Sequence, residues 1–352
     1  MASRHIIDLT QISPGDLKDI LELARTIRLN PKQFYGSCDG KILATLFYEP
    51  STRTQMSFQT AMLRLGGRVI GFDNPLNSSV SKGESLMDTI KIINSYADII
   101  ALRHPLEGSA KAASFYSENP LINAGDGGHL HPTQTLTDLV TLTEEKGAVS
   151  GMTIGVCGDL KHGRTVHSLI NAMCRFDNNF VFISTPELDV PQYIKDELTA
   201  FGRKFTFIPS LEEAIPALDV LYMTRIQRER FASLEEYDKQ KNVYRLDAAK
   251  LKYAKKDLRI LHPLPRVDEI AVEVDDDPRA VYFKQAAYGV FARMALIIYL
   301  LENSNGSKTV LAPPAEHRCK NPKCISNSEL YLPASFKKVG DTLVCDYCDF
   351  DA

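Results

Sequence analysis

The chain of 352 residues has no tryptophan and little excess charge of either sign, its formal net charge being -3. No global field therefore favours nucleic acid or an anionic membrane surface, and electrostatics has to be argued locally. Long hydrophobic runs are missing as well. The longest purely apolar stretch, Met294 to Leu301, has eight residues, against roughly 20 needed to cross a bilayer. Met1-Ala2-Ser3-Arg4-His5 leads directly into an apolar–polar pattern without the hydrophobic centre of a signal peptide. The expectation is a soluble cytoplasmic protein with neither nucleic-acid nor membrane partners. G-x-G-x-x-G, H-E-x-x-H, G-x-S-x-G and the Walker lysine motif are all absent. These absences argue against a dinucleotide enzyme, a metalloprotease, an α/β-hydrolase and an NTPase. Cysteine is scarce and uneven: Cys38, Cys157 and Cys174 are scattered, whereas Cys319, Cys324, Cys345 and Cys348 crowd the C-terminal tail.

What remains is ordinary globular composition, 44% hydrophobic and 24% charged, in a chain long enough for two domains and an appendage. Ser13, Pro14 and Asp16 sign the first helix, with Leu17, Ile20, Leu21, Ala24 and Ile27 as its apolar stripe. Apolar runs at Ile42–Tyr48, Val69–Phe72 and Ile99–Leu102 alternate with helical patterns. After a helix over Thr133–Glu145, further runs follow at Thr153–Cys157, Phe180–Ile183, Phe205–Ile208, Val220–Met223 and Arg259–Leu261. Strands alternating with helices predict an α/β class with two tandem parallel-sheet domains. Ligands of such sheets sit beyond the C-terminal strand ends, so polar clusters directly after strands are the candidates.

The first cluster is Glu49-Pro50-Ser51-Thr52-Arg53-Thr54, between a buried strand and a helix start. Hydroxyls, free N–H groups and a helix dipole make an anion site there, and Arg53 adds a fork that matches phosphate. Plain N-capping is the competing reading, but an arginine in the first turn opposes the dipole unless an anion is present. Arg103-His104 ends a second strand. His131-Pro132-Thr133-Gln134 follows Gly125-Asp126-Gly127-Gly128, a loop too polar to be core, and an imidazole there can support a growing oxyanion. Ser78 to Glu84 is a polar loop carrying Lys82. In the second half, Arg164, Arg225 and Arg266 follow three different strands, an arrangement suited to a dicarboxylate.

In the tail, Cys319-x-x-x-x-Cys324 and Cys345-x-x-Cys348 are knuckles 20 residues apart, the pattern of a tetrahedral four-cysteine zinc site. Five Lys/Arg stand against six Asp/Glu from Pro313 to Ala352, which does not suit a phosphate backbone. So small a unit lacks a sufficient core of its own, and metal binding should supply most of its folding energy.

Taken in order, Phe47 to Thr54, Ser81 to Glu84, Leu102 to Pro105, His131 to Thr135, Gly158 to Leu169, Thr224 to Arg230, His262 to Arg266 and Phe291 to Leu296 closely resemble the aspartate carbamoyltransferase family. The resemblance runs from about Ile6 to Leu301. It implies transfer of the carbamoyl group of carbamoyl phosphate to the amine of L-aspartate, an early step of pyrimidine biosynthesis, without a catalytic cofactor. It also implies a carbamoyl-phosphate domain over 1–132 completed by a helix over 284–302, an inter-domain helix over 133–149 and an aspartate domain over 150–283. A linker over 303–315 and a zinc domain over 316–352 would follow.

By position, Ser51, Thr52, Arg53, Thr54 and Arg103 would bind the phosphate, and Thr54, Arg103 and His131 would polarise the carbonyl. Gln134 would touch the carbamoyl amine, and the Leu264 and Pro265 carbonyls would line the pocket. Arg164, Arg225 and Gln227 would hold aspartate. Ser78 and Lys82 would reach a neighbouring subunit's site, where Lys82 would also serve catalysis and contact aspartate. That implies a homotrimer, alone or paired into a dimer of trimers. Glu49 would bridge to Arg164 and Arg230 on domain closure. Gln55 departs from the family's usual arginine, so an altered support contact is expected there. Ornithine carbamoyltransferases typically have cysteine where Thr133 and Pro263 stand, and Arg225 would repel a cationic side chain.

The tail resembles the zinc domain of the family's separate regulatory chain, without the nucleotide-binding domain that normally precedes it. A docking or assembly role is expected, with no CTP or ATP control through that route. CTP inhibition that disappears on deleting the tail would contradict this.

Overall fold

The computed structural model describes residues 4–226, 233, 235, 237, 243–305, 309–310, 312–340 and 342–351. The chain divides into two compact units, one of Met1–Thr133 with Val290–Ala352 and the other of Gln134–Gly289.

In the first unit, four parallel strands, β1 (Ile42–Phe47), β2 (Arg68–Phe72), β3 (Ile99–His104) and β4 (Leu121–Asp126), lie in the order β2-β1-β3-β4. The chain reverses its winding between β1 and β3, a topological switch point where open α/β sheets take ligands. α1 (Pro14–Leu29) starts as its sequence predicts, with the Ser13 hydroxyl accepting from Asp16 N and Pro14 in the first turn. α2 (Thr52–Arg64) follows β1, α3 (Leu86–Ile93) follows the polar loop, and α4 (Ser109–Ser114) follows β3.

β4 is the element that hydrophobic patterning did not predict. Leu121-Ile122 is only a short apolar run, and Asn123, Gly125 and Asp126 read as loop. All six residues are buried, because the polar ones are satisfied internally. Asn123 donates to Ile7 O at 3.1 Å and to Asp126 Oδ1 at 3.0 Å, and its own Oδ1 accepts from Gly125 N at 2.8 Å.

The second unit has five parallel strands: β5 (Thr153–Cys157), β6 (Asn179–Ile183), β7 (Phe205–Phe207), β8 (Val220–Met223) and β9 (Arg259–Leu261). Their order β7-β6-β5-β8-β9 puts a second switch point between β5 and β8. Between Thr133 and Gln134 the chain passes from the first unit into the second, within α5 (Pro132–Lys146). α6 (Arg164–Met173), α7 (Gln192–Ala200) and α8 (Leu211–Ala214) complete the series before α9 (Tyr282–Glu302). By length and composition alone α9 could cross a membrane, but 61% of its most apolar window is buried inside the protein, as in a core helix.

The tail packs within the first unit of its own chain. It comprises α10 (Ile325–Ser328) and an antiparallel pair, β10 (Phe336–Val339) and β11 (Thr342–Cys345). Ile325, Leu332 and Tyr347 share one apolar cluster with Ile90 of α3 and Ala110, Ala112 and Ala113 of α4. Lys111 Nζ lies 2.5 Å from Asp346 Oδ1, and Leu86 N and Met87 N donate to Glu329 Oε1 and Tyr331 Oη.

Candidate active site and metal centre

β1 delivers Glu49 to Thr54 to the first switch point. Ser51 is the N-cap of α2, yet its side chain makes no capping hydrogen bond, and the first turn carries no acidic residue. The ordinary use of such a residue is therefore not made here, and the dipole end is left for an outside anion. Thr54 is buried, while Ser51 is half-buried and Thr52 and Arg53 are exposed. Behind them, Arg293 of α9 donates to Ser57 Oγ at 3.1 Å and lies over the Phe58 ring at 5.1 Å, which braces α2.

On the neighbouring strand, Arg103 is 7% exposed. Its guanidinium pairs with Glu49 and donates from Nη1 to Ala124 O at 3.3 Å. Its Nε, also buried, has no hydrogen-bond partner among the described residues. Burial bears hardest on this group and lowers its pKa; Glu49 counters that, while the nearby Arg53 charge adds to it. Two neighbouring arginines, one with an unfilled buried donor, lie beside an uncapped helix start, an arrangement whose charge suits an anion.

A register shift between Leu102 and His104 in the β3–β4 pairing marks a bulge where the sheet ends. Gly125 occupies it with φ 121°, and a Cβ there would lie 2.7 Å from Arg103 Nη1 and 3.7 Å from His131 Cδ2. The bare backbone thus makes room for the Arg103 guanidinium, with the His131 ring in ordinary contact distance of the same point. Asp126, 1% exposed, ties the surrounding turns: its carboxylate accepts from Leu130 N at 3.0 Å and Gly108 N at 2.9 Å. Sequence reading missed both positioning residues, although the Gly-Asp-Gly-Gly string was their signal. Gly125→Ala should displace Arg103 and lower kcat by about 10²-fold, the usual penalty for an error near 1 Å. Steady-state kinetics, with circular dichroism to establish folding, checks this; an active, folded variant would contradict it.

In the second unit, Gly158 follows β5 with φ 124°, and a Cβ there would lie 2.2 Å from Thr224 O. Thr224 N donates to Cys157 O at 2.9 Å. The loops after β5 and β8 therefore touch, with Arg164 opening α6 and Arg225 following Thr224. Arg225 lines a pocket with Thr224, Ile226, Tyr237, Tyr244, Val267, Asp268 and Glu269. Arg266 is already committed to Asp275 through both terminal nitrogens. Gln227 and Arg230 lie outside the described residues.

A buried hydrogen-bond chain runs through this unit. Gln134 Nε2 and Gln285 Nε2 both donate to Asp138 Oδ1, at 2.8 and 2.6 Å. Gln285 Oε1 accepts from His262 N, His262 Nδ1 accepts from Leu264 N at 2.8 Å, and Nε2 meets Glu269 at 2.7 Å. Gln134 is thus fixed by its nitrogen, which leaves the oxygen as the atom suited to a substrate N–H. Leu264, at φ 54°, precedes a cis bond to Pro265, and the His262 ring holds this turn.

Ser78 accepts from Val80 N and donates to Pro75 O, fixing the polar loop, and Lys82 at its end is exposed. Gln55 Nε2 reaches Phe72 O only at 3.5 Å, so its support contact is a long one.

The four tail cysteines are buried, and their sulfurs all lie within 4.8 Å of one another. Cys319 and Cys348 are 3.7 Å apart, and Cys324 and Cys345 3.8 Å. A tetrahedron with metal–sulfur bonds of about 2.3 Å has an edge of about 3.8 Å, so the residues fit a four-thiolate ion.

Two parallel α/β units, an uncapped helix start after β1 and arginines after β5 and β8 are features of a transferase of the carbamoyltransferase class. Residues 4–144 match the family described as aspartate/ornithine carbamoyltransferase, carbamoyl-P binding domain, and residues 150–300 match its Asp/Orn binding domain. The chain belongs to the aspartate carbamoyltransferase family. It is 59% identical over 303 residues to the aspartate carbamoyltransferase catalytic subunit of Clostridium perfringens, covering 86% of this chain and 99% of that one. The subunit of Clostridium kluyveri is 57% identical, with the same coverage. Among solved structures, the M. jannaschii catalytic subunit superposes with a TM-score of 0.80 at 50% identity, covering 86% of this chain and 100% of that one. The Trypanosoma cruzi enzyme in complex with N-(phosphonacetyl)-L-aspartic acid gives 0.79 at 38%, covering 85% and 95%. Residues 317–351 match the metal binding domain of the aspartate carbamoyltransferase regulatory chain.

Proposed function

We propose that this chain makes N-carbamoyl-L-aspartate with the residues assigned above, and that the unfilled Arg103 donor beside Arg53 is the observation that carries the assignment. Ser51, Thr52, Arg53 and Arg103 hold the phosphate of carbamoyl phosphate. The aspartate amine attacks the carbamoyl carbon, and the carbonyl electron pair moves onto oxygen. Thr54, Arg103 and His131 stabilise that oxyanion. Its collapse breaks the carbon–oxygen bond to phosphate, which leaves with the electron pair and takes up the proton that the amine gives up. Gln134 and the Leu264 and Pro265 carbonyls accept from the carbamoyl NH2. Arg164 and Arg225 hold the carboxylates of aspartate, with Gln227 beside them; Glu49 and Arg230 serve closure. No enzymic nucleophile is used, so the rate comes from positioning and fixed dipoles.

Lys82 and Ser78 act in a neighbouring subunit's site, within a homotrimer. Met56 and Leu63 on α2 and Ile70 on the edge strand β2 are exposed apolar side chains of the kind a subunit contact covers. The ion in the tail is zinc, one per chain, in keeping with four cysteines as ligands. A thiol site of this kind belongs in a reducing cytoplasm.

The test is carbamoyl-aspartate formation by purified protein, with aspartate and ornithine assayed in parallel; activity on ornithine alone would overturn the reading. Arg225→Ala should raise KM for aspartate roughly 10- to 150-fold, the worth of a hydrogen bond to a charged group, with KM for carbamoyl phosphate little changed. An unchanged KM for aspartate would remove Arg225 from the site.

A further inference from the structure

We propose that His129 is a positioning residue through which the cysteine-rich tail holds the carbamoyl-phosphate half-site in shape. The proposal rests on the assignment of Arg103 and His131 to that half-site.

The His129 ring lies between two carboxylates, with Nδ1 3.1 Å from Asp126 Oδ2 and Nε2 3.0 Å from Asp349 Oδ2. Carboxylates only accept, so both ring nitrogens donate and the ring is an imidazolium. Its side chain is 12% exposed, so this cation is largely enclosed and tightly specified in direction.

On the tail side, Asp349 adjoins the second cysteine knuckle. Its backbone is left-handed at φ 56°, its N–H donates to Cys345 O at 3.0 Å, and Lys337 Nζ holds its other oxygen at 2.6 Å. The carboxylate that grips His129 is therefore aimed by the fold of the knuckle. On the other side, Asp126 uses its remaining bonds to fix Leu130 N, next to His131, and Asn123, which fixes Gly125 against Arg103. Three hydrogen-bonded steps thus join Asp349 to Leu130, beside His131, and four join it to Gly125, against Arg103.

The first knuckle grips the companion loop. Glu107 N donates to Lys323 O and Ile325 N to Glu107 O, both at 2.9 Å. Mere adhesion does not need these loops, because Lys111–Asp346 and the contacts with α3 already fasten the tail elsewhere. The tail clasps the turns after β3 and β4, the two strands that carry or lead to Arg103 and His131.

The test compares His129→Ala with Lys111→Ala, which removes an adhesive ion pair made by α4, in the full-length metal-loaded chain. Metal per chain, hydrogen exchange of residues 121–131 without ligand, and KM for carbamoyl phosphate at saturating aspartate are measured. Both variants should retain the ion. Only His129→Ala should speed exchange in 121–131 and raise KM for carbamoyl phosphate, by roughly 2- to 30-fold, the span of coupling through packed networks, with a smaller change in kcat. Unchanged exchange, or faster exchange with unchanged KM, overturns the proposal. Arg103→Ala is run alongside; if it too leaves carbamoyl-phosphate affinity intact, the assignment of the half-site is what has failed. Should His129→Ala lose its ion, Asp349→Asn reads the same quantities from the other end of the bridge.

Discussion

Arg103→Ala should lower kcat by about 10²–10³, the loss expected from removing one oxyanion donor, and should also weaken carbamoyl-phosphate binding. The side chain fills two roles that no neighbour can take over. It neutralises Glu49 while its Nε stands buried and unfilled beside Arg53. Truncation removes the donor and leaves Glu49 unneutralised beside the proposed phosphate position, so charge repulsion adds to the lost bond. Arg103→Lys should recover little, because one ammonium cannot reach Glu49, Ala124 O and the substrate together. Initial rates of carbamoyl-aspartate formation, with carbamoyl phosphate varied at saturating aspartate, check both variants. A loss of less than tenfold in Arg103→Ala would show that Thr54 and His131 carry the oxyanion without it.

Much of this half-site was legible because its residues follow strongly apolar strands. Ile42–Phe47 and Ile99–His104 mark their own ends, and sheet geometry sends whatever follows them to one edge. What sequence left undecided at Ser51 was whether its hydroxyl caps the helix, and only the absence of that bond in the fold decides it. β4 escaped notice for a different reason. Its core position depends on hydrogen bonds between Asn123, Asp126 and distant backbone, and hydrophobic periodicity does not report such bonds. The same blindness hid Gly125, whose importance lies in what its missing Cβ lets approach. The cysteine spacing announced a metal site, but not that the tail would seat on its own chain. That surface is made by short side chains, Ala110, Ala112 and Ala113, together with Gly108, where a Cβ would lie 2.6 Å from that of Tyr347. Small residues give a docking face no pattern that sequence reasoning can distinguish from an ordinary helix.

That seating makes metal removal the other change with a large expected effect. Apparent binding free energies for structural zinc are about 10–16 kcal/mol, more than a tail with one short helix and one hairpin gains from its own core. Cys324→Ser, or exhaustive chelation, should therefore unfold residues 316–351. Protease should then cut beyond Glu302, the last residue of α9. The loss should also reach the first unit, since Ile325, Leu332 and Tyr347 share its apolar cluster. Uncovering the equivalent of one large apolar side chain costs about 1.5–3 kcal/mol, which lowers the melting temperature by about 3–12 °C. Calorimetry, limited proteolysis and elemental analysis on the same sample check the three consequences together. Chelator and reductant also separate a metal site from a pair of disulfides. Sulfurs 3.7 and 3.8 Å apart are not bonded to each other, so reductant alone should leave the tail folded and protected. A chain whose tail survives verified metal loss but is released by reductant would overturn the metal assignment in favour of disulfides.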